Sequence, residues 1–234
     1  MKKFILAFIM FFVMISASLA DRNVYITQSC ASLDLDITMD GNNNAIGASN
    51  DRTLLTGANL DVDIDLIGAS NVITGDFIGA GESGSDDLKI NQTGSTNTTA
   101  LNIGSSAATD DVSIIENRIG SSGVTSYLVG SAATVQDVSI TVDVVGDDID
   151  IAISEQSTSS GSDKTTDIDI GTDSDDVDII ITHTGAGAHK TKLLCTGSCA
   201  GSDFTMSQTG VNSTNVDLIV TNATSSDVDI TITE

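Results

Sequence analysis

Glycine returns along this chain with a period of about 26 residues: Gly41, Gly68, Gly94, Gly120, Gly146, Gly171 and Gly197. The intervals are 27, 26, 26, 26, 25 and 26. The neighbours return too. Asp34, Asp61 and Asp87 stand seven residues before the first three of these glycines, and Asn44, Asn71 and Asn97 three residues after them. Between aspartate and glycine lie alternating segments, "LDITM", "VDIDL" and "LKINQ". Later copies decay, with Gly123 following Gly120 where asparagine is expected. A second series, Gly79, Gly104, Gly130, Gly185 and Gly210, falls ten to fourteen residues after the first.

Each unit therefore reads strand, turn, strand, turn. Segments such as "DVDIDL", "DVSIIE", "DVSITV", "DIDIAI" and "DVDIII" alternate strictly, the period-two signature of a strand with one buried face. Val, Ile and Leu share one face; Asp, Ser and Thr share the other. A repeat of this length points to a solenoid, propeller or array. A propeller blade needs about 40 residues and four strands, so the fold expected is all-β: a β-solenoid of about eight two-strand coils. An antiparallel β-sandwich is the runner-up. Coils stacked about 4.8 Å apart would make a column on the order of 40 Å tall. The recurring glycine is read as a φ > 0 corner. The asparagine is read as a turn residue that can also form a hydrogen-bond ladder along the axis.

The chain has no proline, although average usage is about 5%. A continuous ladder excludes proline because it cannot donate. With a hydrophobic fraction of 40%, this argues against disorder, which favours proline and low hydrophobicity.

Lys2 and Lys3, the apolar run Phe4 to Ile15 and the small residues Ser18 and Ala20 read as a signal peptide over residues 1–20. An uncleaved N-terminal anchor is the alternative. No cysteine follows the cut, which argues against a lipoprotein, and no later segment is apolar enough to cross a membrane. Residues 21–234 are read as one repetitive domain, extracellular or at the cell surface. Without the leader, seven basic residues face 33 acidic ones, a net charge of −26. Nucleic acid is excluded as a partner, since phosphate neutralisation needs clustered Lys and Arg. Cations or a strongly ionic medium suit the chain better.

The stretch "QTGSTN" resembles the curlin repeat of secreted bacterial amyloid fibre subunits, whose pattern is Ser, five residues, Gln, x, Gly, two residues, Asn. Gln92, Gly94 and Asn97 match, with Asp86 in the serine place. A second copy matches at Ser202, Gln208 and Gly210, with Asn212 one residue early. Gly41/Asn44 and Gly68/Asn71 match with Met39 and Leu66 in the glutamine place. The repeat here is longer, and aliphatics replace most of the family's inward Gln and Asn. The resemblance implies a homopolymer partnered by itself, with export or nucleation partners.

The remaining chemistry is sparse. "TDIDIGTDSDD" is acidic but lacks the ligand spacing of an EF-hand. Asp173, Asp175 and Asp176 are therefore weak candidates for loosely bound Ca2+, and no other cofactor is expected. His183 and His189, the only histidines, are read as polar turn residues. Cys195 and Cys199 suit a local disulfide in an exported protein. Cys30 lies about six coils away, near 29 Å at about 4.8 Å per coil, and is expected free or paired between subunits. Sequons at Asn91, Asn97, Asn212 and Asn222 match the chance level of this composition. No nucleophile elbow or phosphate loop is present, and Arg52, Lys89, Arg118, Lys164, Lys190 and Lys192 are scattered, so no enzyme activity is expected.

Two functions follow as expectations. One is a structural subunit that self-assembles end to end into extracellular fibres for matrix or adhesion. The other is a monomeric secreted solenoid whose acidic face binds cations or a surface. The last strand, "DVDITI", carries no evident polar cap after it, and terminal caps keep solenoids monomeric.

Overall fold

The structure is a computed structural model. It describes residues 11–14, 22–29, 32–47, 53–57, 59–79, 86–104, 111–130, 137–157, 163–172, 174–185, 187–196, 199–210, 214–221 and 225–233. The described residues form strands and turns, with no helix. In chain order the first strands are β1 (Phe11–Met14), β2 (Arg22–Val24), β3 (Thr27–Ser29), β4 (Leu33–Asp40), β5 (Asn43–Ile46) and β6 (Thr53–Gly57). Next come β7 (Leu60–Ile67), β8 (Ser70–Gly79), β9 (Asp86–Thr93), β10 (Thr96–Ile103), β11 (Val112–Ile119), β12 (Ser122–Val129) and β13 (Val138–Val145). The last are β14 (Ile149–Ser157), β15 (Asp163–Ile170), β16 (Val177–Gly185), β17 (Ala188–Cys195), β18 (Asp203–Thr209), β19 (Thr214–Val220) and β20 (Asp227–Thr233).

Two sheets result. The first has nine strands in the order β1-β4-β7-β9-β11-β13-β15-β17-β19. The second has eleven, ordered β2-β5-β8-β10-β12-β14-β16-β18-β20, with β3 and β6 extending it beside β8. Neighbours are one coil apart in sequence, and every pairing is parallel, as in Val112 opposite Val138 and Thr96 opposite Ser122. Parallel strands need a long crossover; here the opposite sheet is the crossover. The molecule is thus a β-solenoid with a repeat of about 26 residues. From β4 to β20 it makes eight coils, six of them between full neighbours. Parallel pairing throughout rules out the antiparallel sandwich.

The alternation decides which face is inside. In β7, Leu60, Val62, Ile64 and Leu66 are buried, while Asp61 and Ile67 are exposed and Asp63 and Asp65 half-exposed. Stacked in register, the inward residues make columns such as Leu35, Val62, Leu88, Ile114 and Ile140, all in the core. Each apolar side chain is covered by its counterparts one coil above and below, so no coil buries its interior alone. The leader reading falls on residues of which 11–14 alone are described, as a backbone strand paired with β4.

Candidate functional site

The recurring turn is an interlocked column. A Cβ on Gly68 would strike the carbonyl oxygen of Gly41, and the same holds for Gly94 against Gly68, Gly120 against Gly94 and Gly146 against Gly120. This corrects the φ > 0 reading: of these five, Gly146 alone has positive φ, at 150°. Glycine is needed because the carbonyl of the neighbouring coil occupies the space a Cβ would take. The left-handed corners lie in the second series, at Gly104 (φ 63°) and Gly130 (φ 75°), and at Asp111 and Asp137. Gly171 breaks the column, where a Cβ would meet Val145 Cγ2 at 2.7 Å. Gly210 repeats the motif against Gly185, and Gly197 lies outside the described residues.

Asn44, Asn71 and Asn97 are buried and form a directional ladder. Asn44 Nδ2 donates to Asn71 Oδ1 at 3.0 Å, and Asn71 Nδ2 to Asn97 Oδ1 at 2.9 Å. Each amide also caps a carbonyl on the next coil: Ile67 at 2.9 Å, Thr93 at 3.2 Å and Ile119 at 3.3 Å. Beyond Asn97 the register puts Gly123, and Arg118 fills the gap, its Cζ 2.9 Å from where a Gly123 Cβ would be. At the other end Asn44 Oδ1 is buried with no hydrogen-bond partner among the described residues.

Two polar clusters lie inside the solenoid. In the first, Glu116 accepts from Thr99 (2.8 Å), Thr125 (3.0 Å) and Tyr127 (2.8 Å), while Arg118 donates to Thr125 at 2.8 Å. Gln92, in the curlin-like glutamine place, accepts weakly from Thr99 at 3.4 Å. Burial lowers the Arg118 pKa, opposed by Glu116, and raises that of Tyr127 well above its usual value. The second cluster joins Glu155, Thr166, His183, Thr191 and Gln208. His183 Nε2 lies 3.0 Å from Glu155 Oε2 and 3.2 Å from Thr166 Oγ1. Gln208 Nε2 lies 3.2 Å from His183 Nδ1 and donates to Thr191 at 2.9 Å. His189 stands beside it, its ring centroid 5.2 Å from that of His183. Burial pushes its pKa down. Lys164 is buried and likewise lowered by burial, opposed by Glu155. The histidines are therefore interior strand residues, not turn residues. They occupy inward parity on β16 and β17, where a polar partner was reachable.

The outer faces carry stacked aspartates. In the first sheet Asp34, Asp61 and Asp87 align, as do Asp36 and Asp63. In the second sheet Asp150, Asp178, Asp203 and Asp227 align. The pKa of Asp61 is raised, by burial first and then by Asp34, Asp63, Asp87 and Asp36; that of Asp178 is raised by burial and by Asp203, Asp150 and Asp176. Asp86, in the serine place, is buried and accepts from the Leu60 amide at 2.9 Å. Asp175 and Asp176 are exposed, and Asp173 lies outside the described residues. Among the described residues no cluster of three or more His, Cys, Asp or Glu is arranged to hold a metal. Cys195 and Cys199 are joined by a disulfide with Cα atoms 6.5 Å apart, and Cys30 lies outside the described residues.

Among the described residues, β20 is the last strand of its sheet. Val228, Ile230 and Ile232 continue the inward columns of Phe204, Met206 and Gln208. Yet they are 41%, 43% and 51% exposed, because no described element stacks beyond them. The Asp227 amide donates to Ser202 O, and Thr233 O accepts from the Gly210 amide. Odd residues of β20 therefore point their backbone groups at β18. Those of Val228, Ile230 and Ile232 face out, and the Val228 amide is taken by Asp227 Oδ1 at 2.9 Å. The alternation "IIENRI" carried a readable sign of the first cluster, since Glu116 and Arg118 fall on inward parity. No family model, curated protein or solved structure matches this chain.

Proposed function

We propose that the chain is an exported structural subunit that stacks end to end into extracellular, amyloid-like fibres. The observation that carries this is β20, where three inward-column aliphatics are exposed and no described strand pairs with the outer backbone edge. An open strand edge templates pairing with another chain, and an exposed inward face is stabilised by whatever next coil covers it. A long parallel stack of this kind suits a load-bearing matrix or adhesion role. Calcium, if it binds, acts between stacked aspartates as a screening ion. Export of the chain and cleavage after Ala20 belong to the same proposal. Electron microscopy of purified residues 21–234 tests it: unbranched fibres are expected, and dispersed single solenoids at high concentration would refute it.

A second reading, a monomeric cation- or surface-binding module, is favoured by the in-register aspartates of the first sheet. Calcium titration of the same sample, read by calorimetry under conditions where no fibres form, separates the two.

A further inference from the structure

Resting on the proposal that copies stack end to end, we infer that Arg22–Ser29 is a displaceable strap over the growth end, and that the C-terminal coil of a second copy replaces it. The strap consists of β2 and β3, three residues each, laid on β5 and β6. Strands elsewhere in the second sheet from β8 onward have seven to ten residues. Two amides of the coil beneath, Gly47 and Leu54, donate to the strap carbonyls of Val24 and Ile26, both at 2.8 Å. Val24 and Ile26 are half-buried against a core that includes Ile46 and Leu55, and Tyr25 is exposed.

The coil beneath fits a better occupant. Continuing the register of the stack by one coil sets Val228 on Ile46, Ile230 on Thr53 and Ile232 on Leu55. The strap offers Val24 opposite Ile46, with Ile26 half-buried beside it. The same continuation sets Val216, Leu218 and Val220 on Leu35, Ile37 and Met39 of β4. Cleavage after Ala20 would remove β1 and free that edge. A third feature points the same way. The asparagine ladder runs in one direction, and its first acceptor, Asn44 Oδ1, is buried and partnerless among the described residues. In a second copy the residue that would stack on Asn44, in place of Arg22 of the strap, is Ser226, whose hydroxyl would turn from Cys199 O, now at 2.5 Å, to donate to Asn44 Oδ1. A second copy thus brings three aliphatics and a hydroxyl to a site the strap covers with three-residue strands.

The strap is tested by Val24→Asp in residues 21–234, with elongation followed by light scattering from sheared seeds. The substitution should loosen the strap and speed elongation about fivefold or more, the factor that corresponds to roughly 1 kcal/mol. Chymotrypsin cleavage after Tyr25 should rise as wild-type monomers enter fibres. Unchanged circular dichroism shows that the variant still folds. Fibres that grow no faster with Val24→Asp, or that leave Tyr25 cleavage unchanged, overturn the strap while leaving end-to-end stacking intact. Growth by the variant alone supports the strap strongly. Absence of fibres from both proteins overturns stacking itself, and the strap with it.

Discussion

Single residues carry the contact between coils. Gly94 lies against the Gly68 carbonyl, and Asn71 Nδ2 lies 3.0 Å from where a Gly94 Cβ would be. Gly94→Ala must therefore shift backbone on two coils, and overpacking of this kind costs about 1–3 kcal/mol. Asn71→Ala leaves the Asn44 amide and the Asn97 carbonyl oxygen without their ladder partner, at about 1–3 kcal/mol for a buried unsatisfied group. Both variants should lower the urea midpoint of the monomer; an unchanged midpoint for Gly94→Ala would show that the coils do not approach there. His189 sets a pH limit. Burial lowers its pKa from an ordinary 6.5, so the unfolded chain takes up the proton first. Stability should fall as pH drops below about 6.5 and level off once the folded-state pKa is passed. Thermal melts between pH 7.5 and 4.5 should show this decline in wild type and a weaker one in His189→Gln. The places of the turn residues were legible from spacing alone. The reason for glycine was not, because close approach between coils is a tertiary fact that local turn chemistry does not contain.

Elements were the most legible level. Strict alternation in segments such as "DVDIDL" located strands and their buried faces, because a side chain's face in a strand depends only on parity. What alternation could not convey was which inward polar residues would meet. Glu116 and Tyr127 are bonded across the interior at 2.8 Å from opposite sheets, a contact set by the way each coil closes. The same limit applies to His183 and His189: nearby glycines resemble a turn, yet inward parity places both rings in the core. At the terminal strand the hydrogen-bond direction now selects the informative variant. The Thr231 amide points back at β18 and the Ile230 amide points out. Ile230→Pro removes a donor from the open edge and obstructs close pairing, so seeded elongation should stop while the upstream coils remain folded. Thr231→Pro instead breaks a bond to β18 and should lower monomer stability. Normal elongation by Ile230→Pro would mean that β20 is not the growing edge.

The whole molecule is a column with like charges in register. Continuing the stack by one copy sets Asp217 on Asp36 at the junction, a distance of about 4.8 Å that destabilises pairing. Raising salt or adding calcium should therefore speed elongation, and equal rates at low and high ionic strength would remove this electrostatic barrier from the account. Acidification toward the carboxylate range acts within the monomer instead, and should raise its own stability. Asp61 and Asp178 have raised pKa values, so their stabilising protonation is complete below about 3.8 and is lost as pH rises through the folded-state values. The most direct measurement is X-ray diffraction from aligned fibres of residues 21–234. Coils stacked along the axis should give a meridional reflection near 4.8 Å and an axial subunit repeat on the order of 40 Å from about eight coils. A 4.8 Å reflection on the equator, or fibres whose strands run along the axis, would contradict end-to-end stacking of this solenoid.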